Sequence, residues 1–149
     1  MVRKQWSKSD IKQFLSSFSY ASQVVTKKSS VFLDDSILFV DNVPSFFQIG
    51  DSWVPTLHLL MKYVDLLPSV TVDKGAIKFV INGADIMRPG ITTCQDFEKD
   101  SFVVIIDENY SKPLAVGKVL MSSVDLINSI GGKAILNLHR IGDYIWKKA

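Results

Sequence analysis

With 149 residues, 47% of them hydrophobic and 21% charged, the chain is long enough for one core or two small cores sharing an interface, and too apolar for overall disorder. No apolar run approaches the roughly 20 residues that span a bilayer, the basic start Met1–Lys8 is not followed by an apolar signal core, and Cys94, the only cysteine, has no partner for an internal disulfide. These features predict a soluble, cytoplasmic protein with no membrane partner. The net charge of +2 hides a segregated pattern: residues 1–28 carry Arg3, Lys4, Lys8, Lys12, Lys27 and Lys28 against Asp10 alone, whereas residues 29–73 carry six aspartates against Lys62. A local basic patch of this kind attracts phosphates whatever the total charge.

Taken in order, Ser7 and Asp10 form an S-x-x-D capping signature, and Ile11, Phe14, Leu15 and Phe18 follow at helical spacing. Lys8 and Lys12 fall on the opposite face. Trp6 stands just outside, either as a hydrophobic staple or as an exposed contact. Short strands are expected at 23–26, 31–33, 37–40 and 45–48, with turns at Asp34-Asp35 and at Asp41-Asn42-Val43-Pro44. Pro55 suits the first turn of a helix, Trp53 would fix its start, and Leu57, Leu60, Met61 and Val64 recur at core spacing. Leu66-Leu67-Pro68-Ser69 is too apolar for a free tether, so it marks a packed junction between a domain at 1–67 and a second at 68–149.

The segment 76–81 alternates as a strand with Ile77, Phe79 and Ile81 on one face, and Asn82-Gly83 then turns the chain with amides open to an anion or a base edge. A short helical segment at 84–88 is closed by Pro89-Gly90, which holds Arg88 on a stiff corner. Phe102–Ile106 reads as a buried strand and Leu114–Leu120 as its hairpin partner. Ser122 and Asp125 repeat the capping signature, with Val124 and Ile127 lining an inner face and Gly131-Gly132 ending the helix. Strands at 134–138 and 144–146 close the series, the latter with Trp146 at the core edge.

The run Lys78-Phe79-Val80-Ile81-Asn82-Gly83-Ala84-Asp85-Ile86-Met87-Arg88-Pro89-Gly90 resembles the start of a PUA domain, the RNA-binding module of pseudouridine synthases and archaeosine transglycosylases. The longer pattern from Val54-Pro55-Thr56-Leu57 through Lys62-Tyr63, Leu67-Pro68 and Val72-Asp73-Lys74-Gly75-Ala76 is similar to the malignant T-cell amplified sequence and ligatin branch, and is compatible with a small archaeal homologue. The resemblance covers the C-terminal two thirds best. It implies an α+β protein, a small N-terminal α+β domain packed on a C-terminal PUA-type β-pseudobarrel.

For catalysis the inventory is poor. There are two histidines, His58 and His139; His58 lacks an evident oriented partner, Cys94 lacks a base, the carboxylate pairs sit at turns, and no metal, Walker, G-x-G-x-x-G or G-x-S-x-G pattern is present. No enzyme activity, cofactor or metal is expected. The resemblance implies RNA contact along the first helix, its turn and the last strand, at Lys78, Asn82, Gly83, Ala84, Arg88, Pro89 and Gly90, with Arg140 or Tyr144 meeting a phosphate or stacking on a base. The implied partner is the tRNA acceptor end or ribosomal RNA, with the N-terminal domain on the small ribosomal subunit or a translation factor. A detached specificity subunit for a transglycosylase or pseudouridine synthase is the alternative, and an interaction domain without RNA binding is a third.

Overall fold

In the computed structural model, which describes residues 3–149, strand β1 (Lys4–Gln5) leads into the first helix, α1 (Lys8–Ser17). Ser7 and Asp10 cap that helix reciprocally: the Asp10 N–H donates to Ser7 Oγ at 3.1 Å and the Ser7 N–H to the Asp10 carboxylate at 2.9 Å. Four strands, β2 (Val31–Asp34), β3 (Ile37–Val40), β4 (Val43–Ile49) and β5 (Ser52–Pro55), continue β1 as an antiparallel meander in sequence order. The two hairpin turns that the aspartates predict are left-handed at both central residues, Asp35-Ser36 and Asp41-Asn42, which suits the twist of a tight hairpin. Side-chain alternation then sorts the core. Val31, Leu38, Val40 and Phe46 pack under Ile11 and Phe14 of α1, while Phe32, Ile37 and Phe39 face the other way, toward Ile145.

Two expectations in this half are corrected. Residues 23–26 form no strand; a 3-10 turn at Ser19–Gln23 and the loop after it plug the core with Ala21 and Val25. Trp53 belongs to β5, and α2 (Leu57–Lys62) starts only at Thr56, whose Oγ1 accepts the Leu59 N–H at 3.2 Å. The helix therefore ends before Val64, which stays exposed with Met61, while Leu57 and Leu60 are buried.

The second sheet is built from β6 (Ser69–Val72), β7 (Ile86–Met87), β8 (Ile91–Cys94), β9 (Phe102–Asp107), β10 (Pro113–Val119) and β11 (Lys133–Arg140), in the order β7-β11-β10-β9-β6-β8. Only β6–β9 is parallel, and the curled mixed sheet closes on Val70, Val103, Ile105, Ala115 and Ile135. This is the PUA-type pseudobarrel, and with the N-terminal layer it makes the chain α+β.

Here the segment 76–81 is not a strand. A 3-10 turn (Lys74–Ala76), capped by Asp73, runs into α3 (Ile77–Ile81), and Ile77, Val80 and Ile81 turn inward at helical spacing while Phe79 is 57% exposed. Residues 84–88 are not helical; they supply β7 and then a 3-10 turn at Arg88–Gly90. In α4 (Ser123–Ile127) the inward residues are Ser123 and Leu126, because Ser123 Oγ is tied to the Phe97 backbone, and Val124 and Ile127 face solvent. The tail at 144–146 is turn followed by a 3-10 helix (Trp146–Lys148), not a strand.

The two layers meet over Phe47, Val54, Leu57 and Leu60 on one side and Val104 and Val116 on the other, with Leu66 and Leu67 folded into the same cluster. Each such burial contributes about 1.5–3 kcal/mol. His139, with no exposed side-chain surface, bridges the junction: its Nε2 accepts the Leu57 N–H at 3.1 Å, which requires the proton on Nδ1, and Nδ1–H donates to Asp143 at 2.9 Å. His58 stacks on Trp146 with ring centroids 4.2 Å apart and bonds its carbonyl at 2.9 Å. No helix among the described residues is long and apolar enough to cross a membrane.

Candidate nucleic-acid interface

The turn after α3 is a helix C-cap with a left-handed glycine. Gly83 has φ +93°, its N–H donates to Val80 O at 3.0 Å, and the Ala84 N–H donates to Phe79 O at 3.0 Å, which together close the helix as a Schellman motif. With the Asn82 N–H bonded to Lys78 O, the three turn amides are spent internally. This corrects the expectation that they stand open to an anion. What the turn offers instead is room. A Cβ on Gly83 would lie 2.8 Å from Arg140 Nε, so the bare glycine lets the β11 guanidinium lie over the turn. Arg140 is half-buried there, with no carboxylate paired to it among the described residues.

Asn137 fixes that geometry. Its side-chain NH2 donates to Val80 O and Ala84 O, each at 3.0 Å, and its N–H donates to the Asp85 carboxylate at 2.9 Å. Asp85 also pairs with Lys133 at 3.0 Å, and the Asn137 N–H first, then Lys133, hold its carboxyl below the usual range. Lys78 is exposed on α3 with Nζ 5.2 Å from the Phe79 ring, beside Asn82 on the same open surface. Phe79, Ala84, Met87 and Gly90 line a neighbouring apolar cleft of about 230 Å³.

Arg88 has a different position. Its Nε donates to Leu126 O at 2.7 Å and an Nη to Ile91 O at 3.1 Å, so the guanidinium braces α4 and β8 against the corner. Pro89 is exposed, and Gly90 accepts the Asp73 N–H at 2.9 Å and packs on Ala76. Tyr144 stands elsewhere: its hydroxyl bonds the Asp35 carboxylate of the N-terminal hairpin and Lys148 lies over its ring. Burial raises the Cys94 thiol, with the Arg88 charge opposing, as befits a packing residue.

Sequence comparison places two families along the chain, a PUA domain at residues 68–141 and a domain of unknown function, DUF1947, at residues 6–63. A protein of Methanocaldococcus jannaschii is 39% identical over 97% of this chain and 96% of its own length, and translation machinery-associated protein 20 of Saccharomyces cerevisiae is 35% identical over 91% and 82%. The chain belongs to this PUA-domain family, which includes the malignant T-cell-amplified sequence proteins. The crystal structure of a Pyrococcus horikoshii protein superposes on it with a TM-score of 0.84 at 30% identity, over 98% of both chains.

The sequence-predicted residues divide into three sets. Lys78, Asn82, Gly83, Ala84 and Arg140 share one surface; Arg88, Pro89 and Gly90 form the supporting corner; Tyr144 is at the domain junction. Asn137, Asp85 and Phe79 are additions. The bonds joining Asn137 to Ala84 and Asp85 span more than 50 residues and leave no local signal. Phe79 could have been found from the i, i+3, i+4 spacing of Ile77, Val80 and Ile81, which excludes it from the inner face.

Proposed function

We propose that this protein is a non-catalytic RNA-binding protein of translation, which holds the tRNA acceptor end or an exposed ribosomal RNA segment on the surface of Lys78, Asn82, Gly83, Ala84 and Arg140. Residues 1–67 and 68–149 are its two working parts, the first docking on the small ribosomal subunit or a translation factor. The observation that carries the reading is the Arg140 guanidinium lying over bare Gly83, with no carboxylate paired to it among the described residues, and an exposed Lys78 on the helix that the Gly83 turn closes. An unpaired guanidinium held over a rigid turn is suited to a phosphate, and bare Gly83 is what lets that guanidinium lie there. Membership of the PUA family and the relative named for the translation machinery point the same way. Both histidines are engaged in packing at the junction, which accords with positioning of RNA without chemistry on it.

The test is binding to tRNA with an intact acceptor end, to the same tRNA trimmed at that end, and to an unrelated hairpin, each across a salt series. Preference for the intact end is expected, with Arg140→Ala lowering the salt slope by about 0.7 for a single-stranded contact. Equal weak binding to all three, with a slope unmoved by Arg140→Ala, would turn the reading toward protein partners.

A further inference from the structure

On the face of the first sheet that looks away from α1, Phe47 and Val54 meet the PUA domain, but Phe32, Ile37 and Phe39 form a separate cluster. Arg3 lies over the Phe32 ring, and the side chain packed on the cluster from elsewhere is Ile145 of the C-terminal tail. That tail joins neither sheet. From Tyr144 onward its N–H bonds to other backbone or carboxylate groups stay within it: Trp146 on the Asp143 carboxylate, Lys147 on Asp143 O, Lys148 on Ile145 O and Ala149 on Trp146 O. Side chains hold it down, namely Ile145, the Trp146 ring on His58, and the Tyr144 hydroxyl on the Asp35 carboxylate. Gly142, at φ +87° with open space around it, turns the chain out of β11 just before. We propose that residues 144–148 are a strap that lifts as a unit about Gly142, and that the face it covers docks a protein segment of the strap's own chemistry, an aliphatic side chain with a lysine three residues on.

A segment held by a few side chains, none of them fully buried, opens at a lower free energy than the sheets beneath it. The chemistry of the occupant is read from the strap and from what it leaves unmet. Asp34 follows Phe32 by two residues and so shares its side of β2, and Asp35 is next along the chain. Lys148 answers both carboxylates from the strap, with its pKa raised by Tyr144 first and then by the charges of Asp34 and Asp35. Even so, Asp34 Oδ1 is enclosed with no hydrogen-bond partner among the described residues, and Arg3 comes to its other oxygen only at 3.7 Å. A segment that seats an aliphatic side chain on Phe32, Ile37 and Phe39 and donates from a lysine to Asp34 completes this face. RNA would instead bring phosphates onto two carboxylates.

The probe is a fluorescein-labelled peptide with the sequence of residues 142–149, added to the full chain and followed by anisotropy. Ile145→Ser loosens the strap in cis and should tighten peptide binding about tenfold over the native chain, because the open fraction of the face rises. Tyr144→Phe, which keeps the apolar packing, should tighten it less. In the Ile145→Ser chain, Asp35→Asn should weaken binding about tenfold, and the same peptide carrying Lys147→Glu and Lys148→Glu should not bind. Equal binding by the native chain and both strap variants, or saturable binding by none of them, would overturn the proposal. Equal binding of the glutamate peptide would do the same, since the acidic edge would then select nothing. Dimerisation of the native chain in the concentration range where the peptide binds would give the face to the strap of a second copy instead. RNA takes no part in these measurements, so their outcome is separate from that of the function proposed above.

Discussion

At the domain junction His139 uses both ring nitrogens, one on the Leu57 N–H and one on Asp143, and Asp143 in turn accepts the backbone N–H groups of Arg140 and Trp146. At the turn after α3, one residue further along the same strand, Arg140 sends a guanidinium across Gly83 and meets no carboxylate among the described residues. Adjacent positions of β11 thus serve opposite ends. Where polar groups are enclosed, each needs a partner, and the result is a fixed angle between two sheets. Where the cation stays near water it can remain unpaired at little cost, and that spare capacity is what a ligand can use.

The largest expected effect falls on the enclosed side. His139→Ala removes the partner of the Leu57 N–H and of the Asp143 carboxylate and leaves a cavity beside Phe47, whose ring lies 5.3 Å from the imidazole. A loss of about 3 kcal/mol in urea unfolding is expected. Arg140→Ala should change stability by no more than about 0.5 kcal/mol. Equal losses for the two would dissolve the contrast.

A middle-sized effect separates Arg88, the main cation of the sequence reading, from Arg140, which that reading placed in the last-strand region as an alternative to Tyr144. Arg88 donates to Leu126 O and Ile91 O, so Arg88→Ala should destabilise by about 1–3 kcal/mol in the same unfolding assay, and any effect on RNA binding should follow from the lost brace. A fully stable Arg88→Ala protein with a reduced salt slope would instead make Arg88 a phosphate contact.

The contrast also explains what could be read beforehand. The cap at Ser7, the turns at Asp35 and Asn42, and the buried run from Phe102 were legible because their signals are local: a spacing, a turn pair, a strand flanked by polar residues. The stretch 76–81 misled because a short continuous apolar run satisfies both a period of two and a period of 3.6, and only packing on the barrel core decides between them. The site had the same limit. Gly83, Lys78 and Arg140 were named from the family resemblance, but that Arg88 would be a brace and Arg140 the cation left unpaired among the described residues depends on Leu126 of α4, 38 residues from Arg88, and on β11, whose Arg140 lies far along the chain from Gly83. The edge-to-face contact of Trp6 with Trp53 was invisible for that reason too, since the two meet only when the meander folds.

The smallest effect should come from acid, and each region contains one carboxylate that reports it. For Asp143, burial pushes the carboxyl up, but the His139 ring N–H and the backbone N–H groups of Trp146 and Arg140 outweigh it and the net shift is downward. Asp85 is also lowered, by the Asn137 N–H and Lys133, at a more exposed site. A carboxyl depressed in the fold stabilises it above the ordinary aspartate pKa of about 3.9 and loses that contribution as pH falls through the folded value. Melting temperature should therefore drop between about pH 5 and pH 3. Asp143→Asn should flatten that drop more than Asp85→Asn does, because solvent screens the Asp85–Lys133 pair. If Asp85→Asn flattened it more, the exposed turn would be the more tightly held of the two regions, and the assignment of its spare cation to a ligand would lose its physical basis.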